Sequence, residues 1–590
     1  MSRTPHGARQ APRRAHRLLA GAGCVLAMCV AAAPAQADWW HHGHRGAELI
    51  PGDLLVSTSD YVPGDITAGV TPLPPQCGTT PIAAPCATAV ADGDDFPSVF
   101  NNDSVDAFFG VTSPVYLDEL TPWGEHVATI PVPTNDFVTS YSSKSELALN
   151  LSPEGNYVSF MGYYAQPGAV DVSNANTPGV IDPPPGVSPP PVGSGNGDLG
   201  PYYRVVAQLD RWGHFTFTLT NAYSGDNGRA AITNDEHGQD LVYTAGNAGQ
   251  SKSPPANVVA STGAQLVTPS AKPEADQTPG APTPLGSFNI TQLPANSGSP
   301  DKSTKDNNYR GITVHDNVIY YTKGSGGNGI NTVYFVDTTG KACPGTGVGL
   351  PVPGAPLPTA ASVAATGFNV QNLGTAKKPN NALLPNNMCI LKGFPTTLAA
   401  STTSPINYPF GMWFANDHTV YVADEGSGDT TYDPTTNTYI NSTASAQPEA
   451  GLEKWVFDTT TQQWNLAYTL QSGLDLGQPY TVPGYPIGLN NGPGGTGGPW
   501  SPATDGLRAL TGHVGRDGVA TIWAVTSTVS GSGDTGADPD KLVAISDRVD
   551  GLTAPSWERF WTVRTAKFGQ LFRGVSFTPG TDTSSSQGGW

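Results

Sequence analysis

A recurring hairpin constrains this chain more than any other feature. The clearest copy, residues 408–428, reads YPFGMWFANDHTVYVADEGSG. Residues 411–415 and 419–423 alternate apolar and polar side chains, and the polar stretch 416–418 joins them. That pattern specifies two short antiparallel strands and a tight turn. A lone hairpin is marginal in water, so a chain that repeats one must stack the copies. Related stretches occur at residues 145–163, 228–247, 309–324 and 506–527. Each pairs a strand rich in small residues with a second, more β-branched or aromatic strand.

The form "Gly, apolar run, polar turn, Val-Tyr-Val-Ala-Asp" at 409–426 resembles the blades of NHL-type and gluconolactonase-like β-propellers. The pattern covers most of the chain, and its specific part is confined to 409–426. The resemblance implies the fold far more than an activity.

Outer hairpins complete the units. Residues 113–120 with 125–132 form one around Thr121-Pro122-Trp123-Gly124, and 202–209 with 214–219 repeat it around Asp210-Arg211-Trp212-Gly213. Counterparts are 452–458 with 464–470, and 541–546 with 557–563. The count gives an all-β, six-bladed propeller, with seven blades as the alternative because the outer pairs of blades three and four are poorly defined. The first strand, 53–59, has no inner partner before it, and 571–578 has the inner-strand form with nothing after it. Placing the last strand inside the first blade closes the ring and leaves no open edge.

The N-terminus reads differently. Arg3, Arg9, Arg13, Arg14 and Arg17 precede an apolar segment, 18–33, and Ala35-Gln36-Ala37 has the form of a cleavage site. This predicts a signal peptide over 1–37 and a secreted (periplasmic or extracellular) protein cleaved near Ala37. A mobile tail is expected over 38–50, one propeller domain with long loop insertions over 51–580, and a flexible tail over 581–590. No later segment is long and apolar enough to span a membrane. A net charge of −19 argues against nucleic-acid binding, which needs a basic face. Past the signal, Cys77, Cys86, Cys343 and Cys389 remain, and an even count in an exported chain points to disulfides. Three pairings exist. Cys77 with Cys86 and Cys343 with Cys389 is the favoured one, since each would pin one long loop; free buried thiols are the alternative.

Aligning the inner strands exposes the candidate site. They begin at Glu146, Arg229, Arg310, Phe410, Arg508 and Arg573. Inner strands line a propeller's channel, so these positions form a ring at one mouth, joined by Lys323. Converging guanidinium forks suit a carboxylate, phosphate or sulfate. The structural alternative has each arginine pairing with a carboxylate, Glu146, Asp424, Glu425 or Asp505, and fixing blade to blade. Calcium is a candidate cofactor at Asp92, Asp94 and Asp95 and at Asp424 and Asp429, where loops cluster oxygen ligands. His237, His315 and His418 fall in turns on the face away from the ring, and no GxSxG occurs. The leading expectation is a binding protein that holds an anionic small molecule or glycan at the arginine mouth. The resemblance permits a metal-assisted hydrolase or lyase, and a structural or surface-interaction propeller is the third class.

Overall fold

The computed structural model describes residues 48–582 apart from 62–109, 142–146, 170–171, 175–176, 178–201, 221, 224–225, 237–240, 248–262, 270–283, 291–307, 325–328, 343–345, 367–385, 399–406, 492–495 and 533–537. Six four-stranded antiparallel units form a six-bladed β-propeller. From channel to rim, blade two runs Asn150–Leu151, Tyr157–Tyr163, Arg204–Asp210 and Phe215–Thr220. Blade three is Gly228–Asn234, Leu241–Gly246, Ala264–Val267 and Pro284–Ile290. Blade four is Gly311–His315, Val318–Lys323, Thr332–Val336 and Asn386–Leu391. Blade five is Pro409–Asn416, Thr419–Asp424, Gly451–Asp458 and Gln463–Leu470. Blade six is Ala503–Val514, Val519–Val529, Lys541–Arg548 and Trp561–Thr565.

Blade one closes the ring as its orphan strands require. Gln570–Phe577 is the inner strand and pairs antiparallel with Leu54–Asp60, followed by Val115–Leu120 and His126–Pro131. Blade six docks on this closure. The Trp523 ring meets Phe577 edge-on at 5.7 Å, and its Nε1 donates to Pro122 O at 2.9 Å. Ordered chain begins before residue 51: Leu49 is buried and its N donates to Arg211 O at 2.9 Å.

Local chemistry explains the hairpins. In blade four His315 pairs with Val318 around Asp316 and Asn317, both with positive φ (46° and 59°). That is the two-residue turn whose twist matches the flanking strands, and Asn and Asp tolerate it best after glycine. Blade two is less regular. Leu147 has φ 68°, so its inner strand pairs only at Asn150–Leu151.

Three features were not expected. The outer strands of blades three and four pair in parallel, Asn289 with Asn386 and Ile290 with Met388, so two rim edges cover one another. Val348–Gly349 adds to the outer strand of blade four. Val111–Ser113 pairs with Thr139–Tyr141 as a separate ribbon. Among the described residues no helix is long and apolar enough to cross a membrane. Cys389 is buried and disulfide-bonded, whereas Cys77, Cys86 and Cys343 lie outside the described residues.

Candidate functional site

The inner strands set two levels along the channel. One position past the arginine register stand Ala230, Gly311, Gly411, Ala509 and Gly574, and in blade two the irregularity at Leu147 brings Ala148, two past Glu146, to the same level. Neighbouring backbones meet here. A Cβ on Gly311 would lie 2.2 Å from Phe410 O, and one on Gly574 would lie 2.3 Å from Leu147 O. Ala148 and Ala230 form a parallel bridge between blades two and three. Side chains any larger would force the blades apart.

On one side of this waist lie the arginines, all buried. Glu425 takes two of them: Arg310 Nη2 is 3.5 Å from its Oε1, and Arg508 Nε donates to Oε2 at 3.3 Å. Phe410, which holds the blade-five place in the ring, lies between, 5.9 Å from each guanidinium carbon. Asp540 sits in the field of Arg573 and Arg508 and accepts Phe572 N at 2.8 Å. Arg229 turns to Asn308 Oδ1 and to Tyr309 O at 3.2 Å. Lys323 Nζ donates to Asn331 Oδ1 at 3.2 Å. Glu146 lies outside the described residues. The ring is therefore an alternation of cations and carboxylates over blades four, five, six and one.

Neighbouring carboxylates tie down the loops above. Asp505 Oδ2 accepts Gly428 N at 2.7 Å, and its Oδ1 accepts Gln447 Nε2 at 2.7 Å. Asp424 accepts Gly426 N on Oδ1 at 2.9 Å and Tyr408 N on Oδ2 at 2.5 Å. Asp429 accepts Thr431 N at 2.8 Å and Asn441 Nδ2 at 3.2 Å. Among the described residues no group of three or more His, Cys, Asp or Glu is placed to hold a metal, and Asp92, Asp94 and Asp95 lie outside them.

Burial sets the protonation of this layer. Desolvation pushes Asp424 up to about 7, Asp505 to about 6 and Asp540 to about 8, against backbone hydrogen bonds that act the other way. A carboxyl raised in the folded state contributes stability that is complete below its unfolded pKa and is lost as pH climbs through the folded one. The expected result is a melting temperature that falls between pH 5 and pH 8. Thermal melts at constant ionic strength measure it, and a melting temperature that rises over this interval refutes the assignment. Asp429, where hydrogen bonds together outweigh the upward push of burial, and Asp433, lowered chiefly by hydrogen bonds, have made their contribution before that window opens.

On the other side of the waist the channel widens into a cavity of about 740 Å³. All six blades line it. Two positions past the waist, Asn150, Ile232, Thr313, Trp413, Thr511 and Ser576 occupy one level of the wall. His315 and His513 stand nearer the turn face. The sequence places His315 in a turn away from the ring, and the structure puts it, with His513, in the cavity wall. Their spacing from the arginine register, five residues in blades four and six alike, was the signal. His315 stacks on Phe414 (4.4 Å) and meets Asp417 Oδ1 at 3.0 Å, yet burial still holds its imidazole below the ordinary value. Burial lowers His513 too. Among the described residues the lining includes Glu154, Glu236, Asp316 and Asp582 but neither Lys nor Arg. Trp413 offers an edge only, because Tyr421 stacks on its ring at 5.9 Å and a Cβ on Gly512 would lie 2.6 Å from it.

No family model and no curated protein matches the chain. Among solved structures it is similar to a mutant of the Synechocystis apocarotenoid oxygenase, at 9% identity and a TM-score of 0.19 over 79% of this chain. The match spans 59% of that oxygenase.

Proposed function

We propose that the protein is an exported binding propeller whose ligand occupies the axial cavity on the turn face. The observation that carries this is the cavity itself: about 740 Å³, enclosed by inner strands of all six blades. Small-molecule sites fall in this size range, with a mostly formed wall and a few convergent polar groups. The hydroxyls of Thr313, Thr511 and Ser576 and the imidazoles of His315 and His513 supply those groups. Among the described residues four carboxylates line the cavity without Lys or Arg, which favours a negative potential there. The ligand is therefore small, polar, and neutral or cationic, such as a sugar or an amine.

An anionic ligand at the arginine mouth is the second reading. It rests on the four buried arginines, but Glu425 occupies two of them. The metal-assisted hydrolase draws support from the hairpin resemblance alone, and the export reading from residues 1–37. Thermal-shift titration of the purified protein separates the ligand classes. Neutral sugars and amines are expected to raise the melting temperature, and Thr511→Trp, which fills the cavity, is expected to abolish the shift. Stabilisation by sulfate, phosphate or citrate alone, unchanged in Thr511→Trp, overturns the cavity site and favours the arginine mouth.

A further inference from the structure

Between blades five and six, away from both channel mouths, lies a buried cluster that ligand binding does not use. Lys454 and Asp547 come from the third strands of adjacent blades, 93 residues apart in sequence. Both side chains are fully buried, and Lys454 Nζ is 2.9 Å from Asp547 Oδ2. Tyr468 Oη donates to Asp547 Oδ1 at 2.6 Å, and Tyr421 Oη donates to Oδ2. Nζ also reaches Tyr468 Oη at 2.9 Å and Arg548 O. As an ion pair this arrangement is already satisfied.

A third acid then needs a reason to be present. Glu558 precedes the outer strand of blade six and is 3% exposed. Its carboxyl oxygens make no hydrogen bond of good geometry, and the group lies beside Asp547 and the Arg548 backbone. Burying a carboxyl beside a second carboxyl, with no well-formed hydrogen bond of its own, is costly. We propose that Lys454 and Asp547 are joined by an amide bond that forms within the folded protein, with Glu558 as the proton carrier.

The atoms balance without a cofactor. The reaction begins with transfer of one proton from the Lys454 ammonium to the Asp547 carboxylate 2.9 Å away, which leaves an amine and an acid. Nζ attacks Asp547 Cγ. The Tyr421 and Tyr468 hydroxyls, both held protonated by burial and by Asp547, donate to the oxygens that gain charge. Glu558 takes the proton leaving nitrogen and delivers it to the departing hydroxyl. The C–O bond breaks, one water leaves, and Glu558 ends as it began. Burial, with Asp547 adding to it, pushes Glu558 up to about 8, so the group exchanges protons near neutrality.

The full chain as expressed, reduced and denatured, is digested with trypsin and chymotrypsin and mapped by mass spectrometry. The expected result is a branched peptide carrying Lys454 and Asp547, lighter by one water than its two parts, with no cleavage after Lys454. Two linear peptides, cleaved after Lys454, overturn the proposal and leave an ion pair. Glu558→Gln keeps shape and removes the exchangeable proton. It is expected to elute and fold like the parent and to yield the linear peptides. A branched peptide at parental yield in Glu558→Gln removes Glu558 from the reaction. Where Glu558→Gln does not fold, Glu558→Asp and the parental map decide the same points.

Discussion

Removal of residues 570–590 is expected to abolish soluble, monomeric protein. The deletion takes the whole inner strand of blade one. Seven residues of Leu54–Asp60 lose their partners, and the fold gains an unpaired edge facing the channel. Leu571, Phe572, Val575 and Phe577 are all buried. At roughly 1.5–3 kcal/mol for each large apolar side chain, their loss is about the size of a domain's entire net stability. Trp523 loses its aromatic neighbour, and Asp540 loses the Phe572 N–H that it accepts. Size-exclusion chromatography and thermal melts measure the outcome. A truncated chain that elutes as a monomer and melts like the parent would mean that the ring does not depend on this strand.

Much of this was legible because a propeller repeats its chemistry. The closing strand was readable from Arg573-Gly574-Val575-Ser576, which copies the start of the other inner strands. The waist was legible only in part: Gly311, Gly411 and Gly574 stand level with Ala230 and Ala509, but the sequence register puts Leu147 there in blade two, where the structure places Ala148. The pairing of Glu425 with Arg310 and Arg508 was not legible as a choice. Four carboxylates lay within reach of the ring by topology, and only side-chain geometry selects among them. The cavity was missed for a different reason. Its polar groups, Thr313, Thr511, Ser576, His315 and His513, are ordinary in single strands, and they acquire meaning only when six strands are brought into register. The parallel joining of blades three and four escaped as well. It brings Asn289–Ile290 alongside Asn386–Met388 at the rim, far apart in sequence and without a turn to signal it.

Glu425 decides what the arginine ring is for. Its carboxylate is 6% exposed and lies between Arg310 and Arg508, themselves 2% and 6% exposed. Removing one partner of a buried pair leaves an uncompensated charge, at a cost of roughly 3–5 kcal/mol. Here one substitution takes a carboxylate away from two cations, and burial already presses against the charge on Arg310. If the ring is a structural clamp, Glu425→Ala is expected to lower stability by at least about that amount, with blades four, five and six the first to open. Adding sulfate or phosphate should restore part of the loss, because a small anion can take the place of the missing carboxylate. The parental protein should show no such response, since Glu425 already fills the position. A site built for an exogenous anion predicts otherwise: the parent binds the anion, and Glu425→Ala binds it more tightly, having lost a competing negative charge. Chemical denaturation of both proteins with and without sulfate at fixed ionic strength separates the cases. A parent stabilised by sulfate as strongly as the variant would overturn the clamp and return the ring to ligand binding.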